Sequence, residues 1–298
     1  MMNNRQYWIN RANKRMDGYM LSALDEANIV KKSYRELQKY VDTEMQKILR
    51  HVGNDTAAYE YRMKRLAVLL DDVRDKINEL YKLNLEDTTE FLKGLIPEAY
   101  YQTIFDYSQG VGVLATFASV DMRLIDTILK AKWSGEHYSK RIWKNTQRLS
   151  KELRQILTDA AVSGESIYKT SAKVSAAFGV SARNAQRLIR TETNYVCAQA
   201  ELKAYDELGI EQYEYLATLD TRTSEICREL DGKIFPCEDA QPGVNYPPMH
   251  PNCRSTTIAY FPNARPQFRA ARDENGKRIT VPHDMKYAEW YEKYVKDE

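Results

Sequence analysis

The 298-residue sequence carries 44 basic and 42 acidic side chains, 43% hydrophobic residues, 12 Gly, 9 Pro and 4 Cys. Those proportions exclude collagen-like, low-complexity and disulfide-scaffold proteins. The net charge of +2 averages two opposed segments: residues 131–200 hold 12 basic against 5 acidic groups, and residues 201–253 hold 4 against 11.

The start of the chain, Met1 to Trp8, lacks the apolar stretch of a secretory signal. Gly110 to Val120, the least polar stretch, is too short to span a bilayer. The expectation is a protein made in the cytoplasm with no membrane segment, where Cys197, Cys227, Cys237 and Cys253 stay reduced.

From Arg5 to about Arg50 no proline occurs, and Val30, Tyr34, Leu37, Val41, Met45 and Ile48 recur at steps of three and four, the stripe of an amphipathic helix. His51 to Thr56 breaks the pattern with a glycine and capping residues. Leu66, Leu69, Val73, Ile77 and Leu80 resume it, so a long antiparallel helical hairpin is predicted. A capping cluster at Glu86–Thr89, then Gly94 and Pro97, predicts a separate shorter element. Gly110 and Gly112 mark a bend before a buried helix carrying Leu124, Ile125, Ile128 and Leu129.

Trp133-Ser-Gly-Glu-His reads as a turn, and Ile142 to Leu157 as a helix. Residues 163–166, Ser-Gly-Glu-Ser, form a break with a fresh cap. Ser171 to Phe178 is a further helix, and Gly179 with Ser181 as cap begins another through Leu188, Ile189 and Val196. This central unit therefore reads helix, turn, helix, turn, helix.

Eight of the nine prolines lie at or after Pro236, and the character changes after Gly209. Gln212–Leu219 and Cys253–Phe261 read as strands flanking a proline-rich loop. Beyond them, Asn275-Gly276 predicts a small hairpin. Trp290, Tyr291 and Tyr294 lie in a helix candidate, and this tail, with Arg265, Arg269 and Arg272, reads as a partner contact. The fold class is thus mainly α with a C-terminal α+β module: a long N-terminal helical hairpin, a central helical unit and a small loop-rich β-containing domain.

Small loop-rich modules often need a staple. Cys227, Cys237, His250 and Cys253 form C-x9-C-x12-H-x2-C, a Cys₃His set of the kind that Zn²⁺ accepts, with the H-x2-C pair close enough to share one turn. The first interval is wider than the usual C-x2-4-C knuckle, so Asp220 or Asp231 stands as alternative fourth ligand. Two other readings remain open: small buried cysteines with His250 bonded to a loop carbonyl, and a reactive thiol with His250 as its base.

Residues 219–235, Leu-Asp-Thr-Arg-Thr-Ser-Glu-Ile-Cys-Arg-Glu-Leu-Asp-Gly-Lys-Ile-Phe, and 242–257, Pro-Gly-Val-Asn-Tyr-Pro-Pro-Met-His-Pro-Asn-Cys-Arg-Ser-Thr-Thr, resemble the signature of the phage Mu F-like minor head proteins, the phage head morphogenesis family. Arg190-Thr191-Glu192 resembles that family's Arg-Thr-Glu motif, and Trp133-Ser-Gly with Arg141-Ile142 resembles the opening of its domain. The family pattern falls on Arg190, Thr191, Glu192, Asp220, Thr223, Cys227, Asp231, Gly232, His250, Pro251, Cys253 and Arg254. Cys237 matches no family position, and Ser255 stands where relatives carry a second cysteine.

The resemblance covers about residues 130–262, so the chain divides into 1–130, a helical region expected to dock to partners; 131–262, the head morphogenesis domain; and 263–298, a tail. The resemblance further implies a minor capsid protein of the phage head interior, made in the bacterial host cytoplasm. The portal vertex would be its location, portal, capsid and scaffold proteins its partners, and procapsid assembly or DNA packaging and ejection its role. Arg190, Glu192, Asp220, Asp231, Gly232 and Arg254 would then be structural.

Lys169, Lys173, Arg183, Arg187 and Arg190 supply a basic helical segment. That is a candidate contact for duplex DNA without base specificity, unless it neutralises the acidic segment beside it. A Gly-rich phosphate loop, H-E-x-x-H and G-x-S-x-G are all missing, so the expectation is a protein that is not an enzyme. The alternative is a phage-derived effector or nucleic-acid-processing enzyme using the Cys, His, Arg and Glu cluster.

Overall fold

The computed structural model describes residues 4–50, 56–111, 118–163, 165–261, 268–272 and 278–282, with four positions after them. Among these residues the chain is mainly helical and closes with small antiparallel sheets. The long helices are α1 (Asn4–Leu49), α2 (Thr56–Val111), α4 (Tyr138–Ser163) and α5 (Ile167–Glu207), and α3 (Met122–Lys130) is short. No helix among the described residues is long and apolar enough to cross a membrane.

The chain divides into two compact units. One comprises residues 24–90 and 136–189, the other residues 1–23, 91–135 and 190–298. In the first, the predicted stripes are core: Val30, Tyr34, Leu37, Val41, Met45 and Ile48 on α1, and Leu66, Leu69, Val73, Ile77 and Leu80 on α2, are all buried. Tyr40 donates to Asp72 Oδ2 at 3.0 Å, which fits the antiparallel hairpin. Leu149, Leu153 and Leu157 of α4, with Val174, Ala177 and Phe178 of α5, complete this core.

Two predicted helix breaks are absent. α2 runs through Thr88-Thr89, Gly94 and Pro97 without interruption. The Thr89 hydroxyl bonds back to the Leu85 carbonyl at 2.6 Å instead of capping a new helix. Pro97 removes one helical hydrogen bond, a cost of roughly 3 kcal/mol. Burial of Leu95, Ile96, Ala99 and Tyr100 around it offsets this at about 1.5–3 kcal/mol for each large side chain. Likewise α5 passes Gly179 and Ser181 unbroken. Ser181 is buried in mid-helix, and its carbonyl accepts a bond from Asn145 Nδ2 at 2.9 Å. The central unit is therefore helix, turn, helix.

Gly110, which marks a predicted bend, lies inside α2. Asp121 caps α3 by accepting the Leu124 N–H at 2.8 Å. Gly135, at φ +88°, forms the turn before α4, a conformation that costs glycine nothing. The turn at His51–Asp55, Gly112, Gly164, Arg265, Asn275-Gly276, Trp290, Tyr291 and Tyr294 lie outside the described residues.

In the second unit, β1 (Gln212–Leu216) is the middle strand of a three-stranded antiparallel sheet, between β2 (Ile234–Pro236) and β3 (Thr256–Ala259). Both predicted strands are shorter than their sequence signals, while β2 and α6 (Glu225–Leu230) had no signal. The alternation in β1 is weak because both sheet faces are covered. Trp8, Ile9 and Ala12 of α1 pack on Leu216 and Ile258, whereas Tyr205 and Ala198 of α5 pack with Tyr213 and Ala259. β4 (Phe268–Arg272) and β5 (Arg278–Pro282) pair antiparallel, the two arms of the predicted hairpin.

Candidate metal centre

His250, Pro251, Asn252 and Cys253 form a tight turn closed by Cys253 N–H to His250 O at 3.1 Å. Pro251 and Asn252, at φ +62°, occupy the positions that a type II turn gives to proline and to a left-handed residue. α5 holds this turn: Thr191 Oγ1 accepts the Asn252 N–H at 3.0 Å, and Asn194 Nδ2 donates to the Cys253 and Ser255 carbonyls, both at 3.0 Å. Glu192, next to Thr191, accepts from Trp133 Nε1 at 3.1 Å, and Trp133 stacks on Tyr195. The Arg-Thr-Glu segment thus clamps both ends of the domain that its motifs define.

Cys227 comes to this turn on α6. Its Sγ lies 3.3 Å from His250 Nε2 and 3.9 Å from Cys253 Sγ. All three ligand atoms lie within 4.8 Å of one another. Zn–S bonds of about 2.3 Å and Zn–N bonds of about 2.0 Å at tetrahedral angles put neighbouring ligand atoms roughly 3.5–3.8 Å apart. The Cys₂His set fits that geometry. His250 Nδ1 faces the Pro251 carbonyl at 2.9 Å, which fixes the tautomer that leaves Nε2 as acceptor or ligand.

Three hydroxyls surround the cluster. Tyr215 OH donates to Cys227 Sγ at 3.3 Å, Ser224 Oγ lies 2.7 Å from His250 Nε2, and Ser255 also bonds Cys227. Ser224 is the N-cap of α6 by position, yet its side chain makes no cap bond because it is turned to His250. The hydrogen bond from Cys253, and after it those from Ser224, Ser255 and Tyr215, outweigh burial and hold the Cys227 thiol below its ordinary value. Cys253 moves the other way: its bond to Cys227 and its burial push it well up. The two thiols are thus displaced in opposite directions, with Cys227 the more acidic of the pair.

The other proposed ligands lie elsewhere. Cys237 follows β2, donates its N–H to Glu211 O at 2.8 Å, and packs against the Tyr205–Tyr213–Tyr246 cluster, where burial pushes its thiol up to about 11. Asp231 Oδ1 accepts the Ala217 N–H at 2.9 Å. Gly232, at φ +74°, turns the chain into β2, a conformation that only glycine adopts without strain. Asp220 receives both Nη groups of Arg254, the Nη2 at 2.7 Å, and the Arg222 N–H at 2.9 Å. The arginine on Asp220 is thus Arg254.

Burial pushes the Asp220 carboxyl up, but the Arg254 bonds and charge, with Arg222, hold it net below its ordinary value. A depressed carboxylate contributes stability above its unfolded pKa, about 3.9, and loses it as pH falls through the folded value. The stability gap between the wild type and Asp220→Asn is therefore expected to be full at pH 7 and to close below about pH 4. Urea unfolding of both proteins at pH 7 and pH 3 measures it, and an equal gap at both values refutes the pairing.

Of the basic helical residues, Lys169, Arg183 and Arg187 are exposed, Lys173 is exposed but paired with Glu165 at 2.8 Å, and Arg190 is half-buried. Sequence reasoning missed Tyr215, Ser224 and the clamp residue Asn194. Only Ser224 had a signal, as the capping residue before Glu225.

Fold and site together define a helical protein whose C-terminal α+β module is built around a Cys–His cluster. The family described as Phage Mu protein F like protein matches residues 151–258, which shows the resemblance carried by the His-Pro-Asn-Cys-Arg segment. The chain is 23% identical over 291 residues to the NAD(+)--arginine ADP-ribosyltransferase EFV of Enterococcus faecalis, covering 91% of this chain and 59% of that protein. It is 22% identical over 297 residues to the minor head protein GP7 of Bacillus phage SPP1, covering 95% of this chain and 92% of that protein. No solved structure matches.

Proposed function

We propose that the chain is a phage head morphogenesis protein and acts in the virion head as a structural component. The observation that carries this reading is the end-to-end likeness to a minor head protein, over 95% of this chain and 92% of that one. On this reading it sits at the portal vertex, takes the portal, capsid and scaffold proteins as partners, and serves procapsid assembly or the packaging and ejection of DNA. Residues 1–130 dock to a partner, residues 131–262 form the family domain, and residues 263–298 add a partner contact. Cys227, His250 and Cys253 hold a structural Zn²⁺. Lys169, Arg183 and Arg187 contact duplex DNA through its phosphates.

A second reading rests on the Enterococcus faecalis relative, whose name gives an ADP-ribosyl transfer from NAD(+) to arginine. This chain spans 59% of that protein. One preparation tests both readings. The expected result is that the tagged chain, expressed with its phage, co-sediments with procapsids, and that the purified chain gives no labelled product from labelled NAD(+) and an arginine peptide. Label transfer without co-sedimentation would favour the effector reading.

A further inference from the structure

Two guanidiniums meet one carboxylate in the loop that follows β1, and a third lies within range of their charge. Arg254, whose side chain is 17% exposed, takes both oxygens of Asp220. Arg222, 74% exposed, places Nη2 at 3.7 Å from the same carboxylate. Asp220 is further occupied by the Arg222 N–H and the Thr223 hydroxyl. Asp17 acts on Arg254 only as the weakest of its negative neighbours. Arg190 receives none of this. Its Nε is buried without a hydrogen-bond partner, and the charges that act on it are the like charges of Arg254 and Arg222.

A half-buried guanidinium with an unmet donor, beside two more, is costly unless an anion joins it. Guanidinium forks match phosphate oxygens in pairs, and several forks can share one phosphate. We propose that Arg190, Arg222 and Arg254 form a phosphate-binding site beside the His250–Cys253 turn, which takes either a backbone phosphate of duplex DNA or a free phosphate group. This site is separate from the exposed Arg183 and Arg187, so it deepens the DNA-handling reading without depending on those residues. It uses Arg190 as a phosphate ligand in place of an internal ion pair.

The test uses the full chain, the exposed variant Arg222→Glu, and Arg190→Gln as a second probe. Arg183→Glu/Arg187→Glu is the control for the other basic residues. Anisotropy of a labelled duplex is followed from 50 to 200 mM salt, and thermal melting is followed with inorganic pyrophosphate. If the source is DNA, Arg222→Glu weakens duplex binding about tenfold or more and lowers the salt slope by about one. If the source is a free phosphate, pyrophosphate raises the melting temperature of the wild type, but not of Arg222→Glu, and duplex binding is unchanged. Either result supports the site, and Arg190→Gln follows Arg222→Glu in both.

The proposal is overturned if neither duplex nor pyrophosphate distinguishes Arg222→Glu from the wild type. That includes the case in which Arg183→Glu/Arg187→Glu alone abolishes DNA binding, which would leave the DNA-handling reading intact. Loss of procapsid co-sedimentation by Arg222→Glu with no phosphate response likewise overturns it, in favour of an acidic protein partner.

Discussion

Replacing Cys253 with serine is expected to lower the melting temperature by about 10 °C or more and to bring bound zinc from near one per chain to below about 0.2. Metal at a thousandfold over its dissociation constant stabilises the folded state by about 4 kcal/mol, and each kcal/mol moves the transition by about 2–4 °C at this size. The metal would add to the Arg254–Asp220 pair and the Thr218-to-Arg254 bond in joining the two halves of the site. α6 is only six residues long, and the His250 turn comes from the far end of the proline-rich loop. A chelator should reproduce the drop in the wild type and do nothing further to Cys253→Ser. If the metal is absent, serine in this buried polar pocket costs only the ordinary loss of a packed thiol, and chelation leaves the wild type unmoved. Metal analysis and melting with and without chelator separate the two outcomes, and Cys237→Ser serves as control because that thiol lies in a different cluster.

The misplacement of Cys237 shows what the sequence could not carry. Three cysteines within 27 residues looked like one ligand set, yet the intervening β2 strand sends them to different places. Pro236 pairs with Gln212 at the start of β1, whereas the Cys227 cluster packs against Tyr215 and Ala217 at its end. Three strand residues span about 10 Å, and no spacing rule contains that strand. By contrast, His250 and Cys253 were legible because a three-residue step through Pro-Asn closes locally. The apolar stripes of α1 and α2 were legible for the same reason, since period 3.6 is a local property.

The breaks predicted at Thr88-Thr89, Gly94-Pro97 and Gly179-Ser181 failed because glycine and cap signals are worth about 1 kcal/mol each and proline about three times that. Tertiary burial of Ile96, Ala99, Tyr100, Ala177 and Phe178 on either side outweighs them. The Tyr215 hydroxyl on Cys227 and the clamp residue Asn194 come from positions distant in sequence, so no pattern announced them, whereas Ser224 and Thr191 lay in segments with a local signal.

The same lesson applies with greater energetic weight to a charge cluster that no local pattern marked. Asp106→Ala is expected to destabilise the protein by about 3–5 kcal/mol, because it leaves a buried arginine short of one of its two carboxylate partners. Arg15 of α1, 9% exposed in its side chain, is ion-paired to Asp106 of α2 and lies 3.4 Å from Glu201 of α5. Arg11 adds a contact to Asp106 at 3.2 Å, Gln102 donates to it at 3.1 Å, and Thr256 of β3 donates to Glu201 at 3.3 Å. Burial pushes the Glu201 carboxyl up in spite of Arg15, yet Glu201 is first among the charges that act on Arg15, so the two carboxylates share the buried guanidinium.

The network therefore joins three helices to the strand that begins three residues after Cys253. Removing both charges, as in Arg15→Met/Asp106→Leu, should cost less than Asp106→Ala alone, since apolar packing replaces a buried pair at little net loss whereas an orphaned charge has no such compensation. Urea unfolding of the two variants and the wild type decides it. A loss below about 1 kcal/mol for Asp106→Ala, or a double variant less stable than the single, would mean that water reaches Arg15 and that the three helices are held by their apolar faces alone.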